Sequence, residues 1–390
     1  MNPYITGFPT IPDVFAGRTK EIKKFENALQ QTYESKPSSP QNIAVVGNWG
    51  IGKTSFLNKC LAIAKAKKAL LIKVTLSPEK CKTMEDFVAN TLEAFYQAIW
   101  DYDGISTKIK SQFSSWKIEG FQLLGVEIKK VDKKVPTAST VLTAKIKELW
   151  KIVQNNIPAI VIAYDDLQYL SKCYANGLYD LRAIFQDTRE DQVRSMLIVT
   201  GDDSLFSNIR GLSEPLLRFF EQIHLDSFSL EEAKEALYLP LQVNKIQLMY
   251  EKKVVEAIFE KTQRHPYFLN FFAHDLFEYK SKGKVTFKLF QQVYPEILEH
   301  IAAARFISDI AITSELEREL LCYFCKNEIL QVKEIKGITN PPMILKRLED
   351  KGILTKVQRG AYKLYHSLFR EYLLLLFEKQ SSKFDFSSLF

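Results

Sequence analysis

The octapeptide "GNWGIGKT", Gly47 to Thr54, constrains this chain more than any other stretch. It fits the pattern GxxxxGK[ST] and lies between a short β-branched run, "NIAVVG", and a helical pattern, "TSFLNKCLAIAKAKK". A strand that enters a glycine-bearing loop and leaves as a helix aims backbone N–H groups and a helix N-terminus at one point, which suits phosphate oxygens. Gly47 and Gly52 permit the tight path, Lys53 neutralises phosphate oxygens and Thr54 offers a hydroxyl to Mg²⁺. The nucleotide-binding stretch therefore comprises Gly47, Asn48, Trp49, Gly50, Ile51, Gly52, Lys53, Thr54 and Ser55; the side chains of Asn48, Trp49 and Ile51 are variable positions without individual roles.

Around this loop, apolar strands and helices alternate. A helical pattern, "FAGRTKEIKKFENALQQTY", precedes the polar connection "ESKPSSPQN" of residues 34–42. The strands "ALLIKVTL", "AIVIAYDD" and "SMLIVTGDD" follow, with the helix "TMEDFVANTLEAFYQAIW" among them, and "SEPLLRFFEQIHL" closes with a last strand. Buried strands separated by helices predict an α/β fold with a parallel sheet covered on both faces. Between 101 and 140 the rhythm breaks, and "WKIEGFQLLGVEIKKVDKK" predicts an inserted β-hairpin. It either covers a sheet edge or meets a neighbouring subunit or nucleic acid through Lys129, Lys130, Lys133 and Lys134. From Phe228 onward strand patterns disappear, and four helices make a small all-helical unit. After about Ser308 come two helices, a short β-ribbon turning at Arg359 and Gly360, and a closing helix, the order of a winged helix-turn-helix. The expected domains are thus 1–227, 228–306 and 307–390.

A phosphate loop needs a second carboxylate on the metal side, and "AIVIAYDD" supplies one. Asp165 is the Mg²⁺ group, acting through water, and Asp166 polarises the attacking water, a role usually held by Glu. The alternative for this pair is a cap on the helix "LQYLSKCY". Thr200, and less directly Asp202, stand where they can sense the nucleotide state, or else only turn the strand into a loop. Arg218, just before the last strand, is either an arginine finger projecting into an adjoining subunit or part of a structural ion pair. "NKCL" and "VNKIQ" lack the Asp of a guanine signature, so ATP is the expected nucleotide.

Composition sets outer limits. A chain of 390 residues, 46% apolar, buries a sizeable core and is not disordered. The longest apolar run, "YLLLLF" from Tyr372 to Phe377, falls far short of the roughly 18 residues of a membrane span. No signal peptide is visible at the N-terminus, and the five scattered cysteines fit a reducing compartment, so a cytoplasmic protein without a membrane partner is expected. Cys322 and Cys325 have CxxC spacing, but they lie in a helical run with no second pair, which favours a helix face over a zinc or redox site. The net charge of +7 permits a polyanionic partner without demanding one.

Taken together, these residues resemble the archaeal-type AAA+ and STAND P-loop ATPases, relatives of archaeal replication initiators. "FAGRTKEIKKFENAL" looks like the opening segment that packs near the adenine, which implies nucleotide contacts for Phe15, Gly17 and Arg18. "IAYDDLQYL" is similar to the "DDLQ" form of the second carboxylate strand, and "TQRHPYFLN" resembles a lid motif in which His265 and Pro266 approach the nucleotide, with Arg264 where a glycine is usual. "YHSLFREYL" resembles the end of the winged-helix domain. The resemblance implies a P-loop ATPase core of AAA+ type, a helical lid and a winged helix, working as a slow nucleotide switch. Its target is double-stranded DNA through residues 340–365 or a protein partner in signalling or defence, with homo-oligomers formed through Arg218; a scaffold that binds ATP without turnover is the third reading. In "PPMILKRLEDKGIL" the apolar Ile344, Leu345, Leu348 and Ile353 face inward, and Lys346, Arg347, Glu349, Asp350 and Lys351 face outward. Two acids among three bases make a poor major-groove surface, whereas Lys356, Arg359 and Lys363 of the wing suit phosphates.

Overall fold

The structure, a computed structural model, describes residues 1–113, 137–202, 205 and 218–380. These residues fall into two compact units, Gly7–Ser227 and Met1–Thr6 with Phe228–Phe390. The hairpin expected within 101–140 lies outside the described residues, apart from a short helix, Thr107–Ser111, at its start.

The first unit is built on five parallel strands: β1 (Asn42–Val46), β2 (Leu70–Thr75), β3 (Ile160–Asp165), β4 (Ser195–Gly201) and β5 (Phe220–His224), in the order β2-β3-β4-β1-β5. Successive side chains of a strand point to opposite faces, so a run apolar at every position needs cover on both sides. Ile43, Val45, Val161, Ala163, Met196 and Ile198 pack against helices α1 (Thr19–Glu34) and α2 (Lys53–Ala66). Their neighbours Ala44, Val46, Ile162, Tyr164, Leu197 and Val199 pack against α3 (Met84–Asp101) and the helices Ala138–Val153 and Gly177–Glu190. Each fully buried Val or Ile contributes about 1.5–3 kcal/mol, so these strands are decided by burial and not by local propensity. Parallel strands share one exit edge, and the loops after β1, β3 and β4 all open there.

The second unit groups the residues expected as helical lid and as winged helix. Helices Leu230–Val243, Lys252–Thr262, Pro266–Tyr279 and Phe287–Ile301 match the four expected. Glu315–Lys326, Pro341–Asp350 and Ser367–Gln380 surround an antiparallel sheet of β8 (Ile329–Gln331), β9 (Leu354–Gln358) and β10 (Ala361–Leu364), whose β9–β10 ribbon turns at Arg359 and Gly360. Ser229 with Glu232, and Ser314 with Glu317, form capping boxes that set two of the helix starts. Strands do not disappear after Phe228: β6 (Leu248–Tyr250) and β7 (Gly283–Val285) form a parallel pair, and β8 adds a third strand to the ribbon. Three-residue strands are too short to show a period.

A single hydrophobic core runs through this unit. Phe306, fully buried, packs its ring near those of Phe268, Phe369 and Tyr372. His366, in the segment entering the last helix, donates from Nε2 to the carbonyl of Thr262 at 2.9 Å and accepts at Nδ1 from the amide of Leu368 at 3.1 Å. Burial pushes its pKa down to about 4, so it is a neutral link. Tyr4 brings the N-terminal residues into the same core, donating to the carbonyl of Leu237 at 2.6 Å. If this core makes one cooperative unit, Phe306→Ala, at a cost of about 3–5 kcal/mol, will speed amide exchange in Lys252–Thr262 and Pro341–Asp350 together and leave Ile160–Asp165 unchanged. Hydrogen exchange read by mass spectrometry decides this, and a response confined to one of the two helices would separate them.

Candidate functional site

The phosphate loop leaves β1 and enters α2, and its backbone fits the task. Gly50 and Gly52 have φ of 73° and 94°, in the left-handed region that favours glycine. A Cβ on Gly47 would stand 2.7 Å from the carbonyl oxygen of Leu225, so no larger residue fits where the loop begins. Lys53 folds back, its Nζ donating to the carbonyls of Gly47 at 2.8 Å and Asn48 at 2.9 Å. Trp49 is exposed, Ile51 is buried beneath the loop, and the hydroxyl of Ser55 accepts from the amide of Thr10 at 3.0 Å.

β4 separates β1 from β3, and Thr200 in β4 stands between the loop and the two aspartates. Its hydroxyl donates to Asp165 Oδ1 at 2.6 Å and accepts from the amide of Asp166 at 2.9 Å. Its one hydrogen is committed to Asp165, so in this arrangement Thr200 positions the carboxylates and does not reach for a phosphate. Thr54 donates to the same Oδ1 at 3.2 Å, which joins the first residues of α2 to the end of β3. A hydroxyl and a carboxylate converging from these two elements fit the hard-oxygen preference of Mg²⁺.

Asp165 is 2% exposed. Burial raises its carboxyl above the usual range, the Thr200 hydrogen bond opposes this, and the neighbouring Asp166 charge adds to it. Asp166 has φ of 64°, a left-handed conformation that turns its side chain out of the line of the strand. Its Oδ1 accepts from Gln168 Nε2 at 3.0 Å. Neither aspartate caps the helix Gln168–Cys173, whose start has no side-chain cap, so the capping alternative is removed. Sequence reasoning gave no role to Gln168. Its other amide atom, Oε1, is buried without a partner among the described residues, and the only signal was the string "DDLQ" itself.

The remaining expected residues sit as follows. Gly17 and Arg18 have φ of 68° and 62°, and the buried Arg18 guanidinium donates to the carbonyl of Asp226. Phe15 packs its ring 6.2 Å from that of Phe56 in α2. Asp202 forms an ion pair with Lys172 at 2.9 Å. Arg218 is exposed at the entry edge of β5, a full strand length of roughly 15 Å from the exit edge, and so does not serve the phosphate loop of its own chain. In the second unit, His265 and Pro266 open the helix Pro266–Tyr279. Arg264 has φ of 56°, which explains why glycine suits that position, and its Nε donates to the carbonyl of Phe228 at 2.9 Å. Cys322 and Cys325 are half-buried on the helix Glu315–Lys326, with no second pair beside them. No helix among the described residues is long and apolar enough to cross a membrane.

A strand–loop–helix that cradles phosphate, with hydroxyl and carboxylate converging across a parallel sheet, defines a P-loop NTPase. The model of the KAP family P-loop domain matches residues 18–214, and the chain belongs to that family. No curated protein matches the sequence. Among solved structures, the Walker-type ATPase PABY2304 of Pyrococcus abyssi is similar at 14% identity and TM-score 0.61, over 95% of this chain and 99% of that one. The ORC2 protein of Aeropyrum pernix is similar at 14% identity and TM-score 0.62, over 97% and 96%. At this identity the likeness is one of fold, the fold of archaeal P-loop ATPases expected from the sequence.

The buried charge of Asp165 yields a test. The folded chain holds this proton more tightly than the unfolded chain, so the cost of the charge is present at high pH and vanishes as pH falls through the raised range. Asp165→Asn keeps an acceptor for Thr200 and Thr54. Without nucleotide, the variant should unfold at a higher temperature than the parent at pH 8, with the gap closing toward acid and with stabilisation by Mg²⁺ lost. Thermal unfolding across pH checks this, and a variant less stable throughout would contradict it.

Proposed function

We propose that the chain is an ATP-dependent molecular switch that hydrolyses slowly and assembles with copies of itself. The observation that carries this reading is the convergence of the phosphate loop, Thr54, Asp165, Thr200 and Asp166 at one sheet edge. When bound, Mg·ATP supplies the cation and the phosphoanhydride. Thr54 and, through water, Asp165 would hold the cation, Lys53 would neutralise phosphate oxygens, and Gln168 steadies Asp166, which would polarise the water. Asp is one methylene shorter than the usual Glu, and a misplacement of roughly 1 Å costs about a hundredfold, hence slow turnover. The ORC2 protein of similar fold is described in ADPNP and ADP complexes, which agrees with an adenine nucleotide. Phe15, Gly17, Arg18, His265 and Pro266 take the roles that the resemblance gives them, and Arg218, exposed at the entry edge, acts on a neighbouring copy.

For the target, double-stranded DNA is the first reading, carried by the exposed Lys356, Arg359 and Lys363 of the wing. One observation favours a protein instead. On the helix Pro341–Asp350, Lys346 already pairs with Glu349 and Asp350, and Lys351 just after it pairs with Glu317 at 2.6 Å, so that face is largely self-neutralised.

Phosphate release tests the site: Asp166→Ala should slow it by roughly a hundredfold, and an unchanged rate would remove Asp166 from the role. The rate per chain should rise with protein concentration in the parent and lose that rise in Arg218→Ala. Duplex DNA binding should weaken steeply with salt if the wing neutralises phosphates, and no binding at low salt would leave the protein reading.

A further inference from the structure

Far along the chain from the phosphate loop, in the second unit, two histidines converge on one buried carboxylate. His274 and Asp275 are adjacent on the helix Pro266–Tyr279, and His300 comes from the next helix, Phe287–Ile301. His274 Nδ1 lies 2.8 Å from Asp275 Oδ1, and His300 Nδ1 lies 3.0 and 2.9 Å from its two oxygens. One ligand atom from each residue falls within a common span of 4.8 Å. Asp275 is buried, and among the described residues it pairs with no lysine or arginine.

A buried carboxylate needs compensation, and among the described residues the side chains that face it are the two imidazole rings, both through Nδ1. A divalent cation would accept lone pairs from both Nδ1 atoms and a carboxylate oxygen and place positive charge beside the buried acid. Donor atoms about 2.0–2.2 Å from tetrahedral zinc stand roughly 3.3 Å apart. Here each Nδ1 lies 2.8 to 3.0 Å from a carboxylate oxygen and the ligand atoms all lie within 4.8 Å of one another, so shifts of side-chain rotamers on two helices would bring them to a common distance. His300 is half-exposed and leaves the fourth position to water. We propose that His274, Asp275 and His300 form a zinc site that fastens the helix Pro266–Tyr279 to Phe287–Ile301.

The experiment uses the full chain, with excess Mg²⁺ present to occupy the Thr54–Asp165 region. Zn²⁺ is titrated in competition with a chromophoric chelator, and Co²⁺ is then substituted and its visible absorption recorded. One equivalent should bind, give the strong absorption of a four-coordinate Co²⁺ site and raise the unfolding temperature. His274→Ala and His300→Ala should each weaken binding by at least about tenfold, whereas His224→Ala, which changes an exposed histidine of the other unit, should leave it as it was. Because His300 is half-exposed, its variant should unfold as the parent does without metal, which separates lost binding from lost folding. Failure of the parent to bind one equivalent, or undiminished binding in the His274→Ala and His300→Ala double variant, would overturn the assignment.

Discussion

The hydroxyl of Thr200 is the point on which the site depends. By donating to Asp165 and accepting from the amide of Asp166, it fixes the carboxylate side chain and the backbone turn after it with one group. It can do so only because β4 runs between β1 and β3, so that neighbouring strands in space carry residues far apart in sequence. Valine fills a similar volume without the hydroxyl. It would leave Asp165 buried with one acceptor contact fewer and the Asp166 amide unpaired, two losses of the kind that cost about 1–3 kcal/mol each.

Much of this was legible in the sequence, and the reason is burial. The central strands β1, β3 and β4 read as apolar runs because both of their faces are covered, the edge strands β2 and β5 alternate because only one of theirs is, and α1, α2 and α3 showed their period for the same reason. The phosphate loop was plain because its glycines answer to backbone demands that few other residues meet. Less visible were features that come from tertiary contact. The partnership of Thr200 with both aspartates and the hold of Gln168 on Asp166 require the sheet order, which no local pattern states. The strands β6, β7 and β8 are three residues long, and the core shared by the segments expected as lid and as winged helix shows only when Phe306 is seen in contact with both Phe268 and Phe369. Arg264 looked like a departure from a glycine position. In the structure it keeps glycine's left-handed backbone and gives its side chain to Phe228, so position and residue are reconciled.

The helix Pro341–Asp350 has two faces that differ in kind. Its apolar side, Ile344, Leu345 and Leu348, is buried as a winged helix requires, while its lysines are drawn onto its own acids or onto Glu317. Architecture alone therefore does not name a target for this helix.

The fold-back of Lys53 bears on what the loop can bind. Its ammonium donates to two carbonyls of its own loop, and an anion that recruits it must replace both. Linked phosphates, which offer several oxygens together, would favour that exchange more than a single well-hydrated phosphate would.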